Sequence, residues 1–324
     1  MSDDDVDHEL LALLRQKFGL GGSDPNAPPE TKVLENAQFI FDNSIDVALS
    51  MSHSKVAAIA VLEEMQKREY STKAWAEHEL HPKSKDEATV NFIFTMDLLN
   101  FSFWSEKSEE QRYAVTYKDK KWTGYWSLVA ALQRALDEDI PITSPEFWID
   151  EEKCTEEVLK NVFRSDTEEE IPMFEQRVQC LREAGRILHE QFDSSVTTLI
   201  EDAKGSAAGL VNLLADRFDC FRDEATFEKK KVRFLKRAQI LVADLWAAFE
   251  EEGYGAFNDI DKITMFAGCS IWAVELLRRE ILKLQPDAKI NAILLDFFLY
   301  DLAKEKEKAG EEALPHHRTR SIWY

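Results

Sequence analysis

Residues 291 to 302 read Asn-Ala-Ile-Leu-Leu-Asp-Phe-Phe-Leu-Tyr-Asp-Leu. Wound as a helix, Leu294, Leu295, Phe298 and Leu299 cover directions that an amphipathic surface helix leaves polar, so this helix must be largely buried. A buried helix needs other elements packed round it, which commits the chain to a layered core rather than an open array. Asp296 and Asp301 fall inside the run, where an unpaired charge costs several kcal/mol. Each therefore needs a cation, hydrogen-bond donors or a ligand. Helical spacing sets Asp296 near Tyr300 and Phe297 near Asp301. A single such carboxylate is accounted for by a buried arginine or a helix N-terminus. Two of them flanked by aromatics point to a small-molecule site.

The elements available to enclose that helix are mostly helical. Val33, Ala37, Ile40 and Phe41 share one stripe, and Val56, Ile59, Ala60 and Glu63 to Met65 continue the period on a second segment, both predicted to face the core. Asn91 to Trp104 is too apolar for a surface and carries Asp97 and Asn100, buried polar groups that require partners. Tyr113–Tyr117 and Trp122–Tyr125 alternate like a hairpin, and a helix follows over Trp126–Asp137. Long helical patterns cover about 171–191, 195–218, 230–252, 268–284 and 288–306. The expected fold class is mainly α with one small β-hairpin. Gly and Pro between Gly19 and Pro29 mark residues 1–30 as a flexible arm, leaving 31–324 as a single domain. Within it, 31–150 is the N-terminal part with the small sheet and 151–324 the helical part. At 324 residues and 44% hydrophobic content, the chain can build such a core.

Charge and motifs exclude several functions. The net charge of -21 repels a polyanion, so an extended nucleic-acid partner is not expected. The four cysteines are scattered without a CxxC pair, which argues against a zinc site or a secreted disulfide framework. The acidic start is unlike a signal peptide and no apolar run approaches a membrane span, so a soluble cytoplasmic or nuclear protein is expected. No Walker loop, dinucleotide fingerprint, HExxH or nucleophile elbow appears. In the basic run Lys229 to Lys236, expected at the start of a helix, Lys236 borders an apolar stripe and is placed to point into a cleft, although solvated charge runs are common. Pro315 to Arg320 is a second basic patch, readable as a tail. Gly253-Tyr-Gly255 joins two helical stretches, and His53 is equally a surface cap residue or a ligand contact.

Phe94-Thr-Met-Asp-Leu-Leu-Asn-Phe-Ser-Phe-Trp-Ser105, Gly124-Tyr-Trp-Ser127, Lys236-Arg-Ala-Gln-Ile-Leu-Val-Ala-Asp244, Gly268-Cys-Ser-Ile-Trp272 and Leu294 to Asp301 together resemble the queuosine salvage protein family, from about residue 32 to Tyr324. The resemblance implies a helix-hairpin-helix DNA-glycosylase-like fold, with Gly253-Tyr-Gly255 as the hairpin. It implies hydrolysis of the N-glycosidic bond of queuosine 5′-phosphate to release queuine for tRNA modification, by a monomer without cofactor or metal. Phe266, Asp296, Phe297 and Asp301 then fall on base-holding positions, with His53 a further contact. Lys236 falls on the active-site lysine, and Lys236, Arg318 and Arg320 are the cations within reach of one phosphate. One departure stands out. Relatives that read like Ile263-Thr-Met-Phe-Ala267 continue with an Asp-Tyr-Arg-Val-Pro-Gln type run before Gly-Cys-Ser-Ile-Trp, whereas here Ala267 joins Gly268 directly. The resemblance makes the absent aspartate the catalytic carboxylate. A carboxylate about 4 Å from a unit positive charge is worth roughly 4 kcal/mol at an effective dielectric near 20, about a thousandfold in rate. Asp244, Asp259 and Asp261 are the nearby alternatives, Asp261 being the most plausible. A catalytically impaired queuine-binding variant is therefore the second functional expectation.

Overall fold

The computed structural model describes residues 27–264, 270–310 and 318–323. The described chain begins with α1 (Val33–Asn43), α2 (Met51–Lys67), α3 (Lys73–Glu77) and α4 (Glu87–Leu98). A hairpin of β1 (Ala114–Tyr117) and β2 (Lys120–Thr123) leads into α5 (Tyr125–Asp137). Then come α6 (Pro145–Ile149), α7 (Glu156–Val162), α8 (Phe174–Gln191), α9 (Val196–Asp202) and α10 (Ala207–Arg217). A second antiparallel hairpin, β3 (Glu224–Phe227) with β4 (Lys230–Arg233), precedes α11 (Lys236–Ala248), and α12 (Ser270–Leu284) and α13 (Ala292–Lys308) close the described fold. No described helix is long and apolar enough to cross a membrane. Helix starts follow local chemistry: Ser50, Asp86, Thr155, Ser206 and Asn291 each accept a backbone N–H of the first turn they cap.

The mainly helical expectation holds, with three corrections. The 230–252 helix begins only at Lys236, because Glu224 to Arg233 pair as a second hairpin. Its two-residue turn, Glu228-Lys229, has φ of 46° and 65°, the left-handed pair that a tight hairpin demands. The 195–218 pattern divides into α9 and α10 at Gly205, whose φ is 73°. On α2, Met65 of the expected stripe faces the core together with Ala58 and Val61, while Val56, Ile59 and Ala60 face outward.

Helix α4 is buried on every side from Phe92 to Leu98, and α11 packs along it. Two fully buried arginines fix that pairing. Arg237 donates to the carbonyls of Asp97, Leu98 and Cys220. Arg177 donates to those of Pro172, Leu99 and Phe101. Both guanidinium groups lie over the Phe101 ring, at 4.9 and 4.3 Å from its centroid. These contacts satisfy carbonyls left over at the end of α4 and anchor the first turn of α11 to it. The C-terminal segment is seated on the same strip. Arg320 stacks 4.0 Å over Trp104 and donates to Ser102 O, while Trp104 Nε1 donates to Thr319 O.

Candidate active site

Lys236 is the first residue of α11, and the second hairpin decides its surroundings. The hairpin returns the chain so that Phe234 N donates to Asp223 O, and the Asp223 carboxylate then accepts the Lys236 backbone N–H at 3.0 and 3.2 Å. The Lys236 side chain points inward, where burial lowers its pKa against the opposing pull of Asp296 and Asp223. Asp296 is 8% exposed on the second turn of α13. Burial raises its carboxyl to about 7, and Lys236 opposes that shift. Burial likewise raises buried Asp223 to about 6 against its backbone donors. Lys236 thus lies within electrostatic reach of two carboxyls poised to exchange protons near neutrality, an arrangement suited to holding a ligand's N–H donors or moving a proton.

Asp301 departs from expectation, because its turn of α13 is exposed rather than buried. Its carboxylate accepts the Tyr70 hydroxyl at 2.6 Å, and partial desolvation of the carboxylate beside Tyr70 outweighs that bond to raise its pKa although the residue as a whole is exposed. Phe297 is half-buried beside it, and Tyr70 packs edge-on against Phe298 with ring centroids 5.3 Å apart. Asp296 therefore turns inward toward Lys236 while Phe297 and Asp301, one turn apart, share the outer side. His53 lies in the first turn of α2, exposed, with Nδ1 2.8 Å from Ser50 Oγ. None of the described hydrogen bonds joins it to Asp296, Lys236 or Asp301. Phe266 and the Ala267–Gly268 junction lie outside the described residues. Arg318 is exposed, and Arg320 is engaged with Trp104.

The alternative carboxylates are differently occupied. Asp259 accepts from Ser206 Oγ and Ala207 N, capping α10. Asp244 is buried, bonded by Trp75, and burial holds it at about 7. Asp97 next to it is raised well above the ordinary carboxylate range by burial and by Asp244. Asp261 is exposed in a 3-10 turn.

Sequence reasoning missed Asp223 because the β3–β4 hairpin that returns it to Lys236 was hidden among lysines. It missed Tyr70 because α13 meets the end of α2 only in the tertiary fold. Among the described residues, no group of three or more His, Cys, Asp or Glu could hold a metal ion. Two cavities of about 600 and 730 Å³ lie elsewhere, one against Phe249 and Tyr254, the other against Arg182 and His189.

Comparison with known proteins bears on this geometry. The family model described as queuosine salvage protein matches residues 80–268 and 267–324. The queuosine 5′-phosphate N-glycosylase/hydrolase of Schizosaccharomyces pombe is 38% identical over 349 residues, covering 91% of this chain and 100% of that protein. The protein of the same name from Mus musculus is 37% identical, covering 91% and 99%. That from Sphaerobacter thermophilus is 31% identical, covering 90% and 95%. The first alignment is longer than the chain itself. Since 91% of 324 residues is about 295, roughly fifty of its 349 positions face no residue here. The two family matches meet at residues 267–268.

Proposed function

We propose that this chain, which belongs to the queuosine salvage protein family, hydrolyses the N-glycosidic bond of queuosine 5′-phosphate and releases queuine. The observation that carries this reading is the electrostatic interaction of buried Asp296 with Lys236 at the head of α11, in a chain aligned over nine-tenths of its length with relatives named for that hydrolysis.

Queuine is a 7-deazaguanine, whose N1–H and 2-amino group present two donors in one direction. An ionised carboxylate accepts both. Asp296 supplies that carboxylate, Phe297 a ring beside it and Asp301 a second acceptor, with Phe266 and His53 completing the contacts to the base. In the reaction, water adds its oxygen to C1′ of the ribose. The C1′–N electron pair leaves with the base, which takes up a proton. Position 7 is carbon rather than nitrogen, so the leaving group is not activated there as an ordinary purine is. Stabilising positive charge at C1′ and activating water then fall to carboxylates. Lys236 supports this by favouring the ionised form of Asp296, and it is also a cation for the 5′-phosphate. The Gly253-Tyr-Gly255 turn supports a helix-hairpin-helix arrangement within one folded unit from 31 to 324, acting as a monomer on a free nucleotide in the cytoplasm or nucleus. Incubating purified protein with queuosine 5′-phosphate and resolving free queuine by chromatography tests the reading. Release above a buffer blank is expected, and none would overturn the hydrolase.

The division of the family match at 267–268 supports a second reading, a protein that retains the base-holding residues without turnover because the aspartate that the resemblance implies to be catalytic does not stand between Ala267 and Gly268. It requires queuine binding by calorimetry with no hydrolysis. Loss of binding as well would remove both readings.

A further inference from the structure

The described cysteines Cys154, Cys180 and Cys220 are all buried, and two of them meet although the sequence sets them far apart. Cys180 lies on the inner side of α8, and Cys220 in the 3-10 turn Asp219–Phe221. Their thiols share a side-chain hydrogen bond, Cys220 donating to Cys180. The backbone is fastened in the same sense, because Asp219 N donates to the Glu183 carboxylate at 3.4 Å and so ties the turn to α8 one helical turn past Cys180.

Two fixed cations stand beside this pair. Cys220 O is one of the three carbonyls that Arg237 holds, and Arg177, one turn before Cys180 on α8, shares the Phe101 ring with Arg237. Positive charge and a donated S–H both favour a thiolate, which is the reactive form of cysteine. They act unequally on the two sulfurs. The bond from Cys220 holds the Cys180 thiol below its ordinary pKa, with Arg237 and Arg177 adding to that effect against burial. Cys220 is pushed up by the same bond and by burial, and Cys154 is raised chiefly by burial. A route for a small reagent exists as well. The cavity of about 730 Å³ is lined by Gln179, Glu183 and Asp219. Gln179 immediately precedes Cys180 and Asp219 immediately precedes Cys220, so the cavity borders both segments that carry the thiols.

We infer that Cys180 and Cys220 form a peroxide-reactive dithiol, with Cys180 the attacking thiol and Cys220 the resolving one. The Cys180 thiolate attacks an oxygen of a hydroperoxide, so that an S–O bond forms as the O–O bond breaks. The departing alkoxide or hydroxide takes up a proton, and Cys180 is left as a sulfenic acid. The Cys220 thiolate then attacks that sulfur, the S–O bond breaks, water leaves, and a Cys180–Cys220 disulfide remains. Two thiols are oxidised and one hydroperoxide is reduced. A small thiol reverses the step by exchange. Neither cysteine belongs to the Lys236, Asp223 and Asp296 cluster, so a protein inactive as a hydrolase leaves the inference intact.

The test exposes the purified, fully reduced chain to hydrogen peroxide, caps the remaining thiols with N-ethylmaleimide and maps the peptides without reductant. The expected product is a single disulfide joining the Cys180 and Cys220 peptides, two hydrogens lighter than the dithiol pair and removed by dithiothreitol. Both thiols found capped, a disulfide to Cys154 or Cys269 instead, or Cys180 advanced to sulfinic acid beside a capped Cys220 overturns the inference. Single substitutions assign the roles. In Cys220→Ala, dimedone is expected to trap a sulfenic acid at Cys180, and in Cys180→Ala the labelling of Cys220 is expected to be at least about tenfold lower. Equal labelling overturns the assignment. Brief exposure of the wild type to peroxide with dimedone present makes the same comparison should a variant fail to fold.

Discussion

Replacing Asp296 by asparagine separates what this carboxylate does to the fold from what it does for a ligand. Burial raises its pKa from 3.8 to about 7. Between those values the folded protein keeps a proton that the unfolded chain has released, so stability is fully present at low pH and falls as pH rises toward 7. At about 1.4 kcal/mol per pKa unit, the loss from this one group is about 4 kcal/mol. The asparagine side chain does not titrate. Urea unfolding should therefore find D296N and the wild type level near pH 4 and the variant more stable by up to about 4 kcal/mol above pH 7. Queuine binding should move the opposite way. Asparagine places a donor where the carboxylate accepted two N–H groups, and losing a charge-assisted bond of this kind costs roughly 2–3 kcal/mol, a Kd weaker by about thirtyfold to more than a hundredfold. A variant that is less stable than wild type at pH 8 would show that the Asp296 charge is a net favourable partner of Lys236, and the ligand-site reading would fall with it.

The remaining expectations are simpler. Wild-type affinity for queuine should weaken about tenfold for each pH unit below 7, as Asp296 takes up its proton, and a pH-independent Kd by calorimetry would contradict this. Lys236→Met removes the cation that opposes the upward shift of Asp296, so the midpoint of that profile should move to higher pH. Gly255→Ala places a Cβ 2.5 Å from Leu245 O and 2.8 Å from Phe249 Cβ, which calorimetric unfolding should record as a loss of about 2–4 kcal/mol. Arg237→Met strips the donors from three buried carbonyls and should cost at least about 3 kcal/mol in denaturant unfolding.

Legibility followed the strength of local signals. The β1–β2 hairpin, α8 and the buried first half of α13 were readable because alternation or helical period repeats there without interruption. The β3–β4 hairpin was not, since Glu228-Lys229 occupies left-handed positions usually filled by Asn-Gly, and Lys230-Lys-Val-Arg233 reads as a solvated charge run. Missing the hairpin also hid Asp223, which approaches Lys236 only because the two strands fold back. Asp301 was misjudged for a different reason. Periodicity places it on a helix whose first turns are buried but carries no sign of where the covering elements stop, and they stop before Tyr300, which is 48% exposed. On α2 the periodicity detected the apolar stripe of Val56 and Ile59, yet it could not identify which of two apolar sides the fold encloses.

Lys236 and Arg237 show how the site depends on the core behind it. Consecutive residues on a helix point about 100° apart, so the same first turn of α11 sends Arg237 into the carbonyls at the end of α4 and Lys236 toward Asp296 and Asp223. Arg237 is 2% exposed and contributes no group to the site. It nevertheless fixes the rotation of α11, because its donors must meet Asp97, Leu98 and Cys220 at once. A rotation of α11 would turn the Lys236 side chain away from Asp296 and Asp223, and binding geometry is intolerant of ångström errors. The Lys236, Asp223 and Asp296 cluster is therefore positioned by a core whose two buried arginines the sequence alone did not mark as buried.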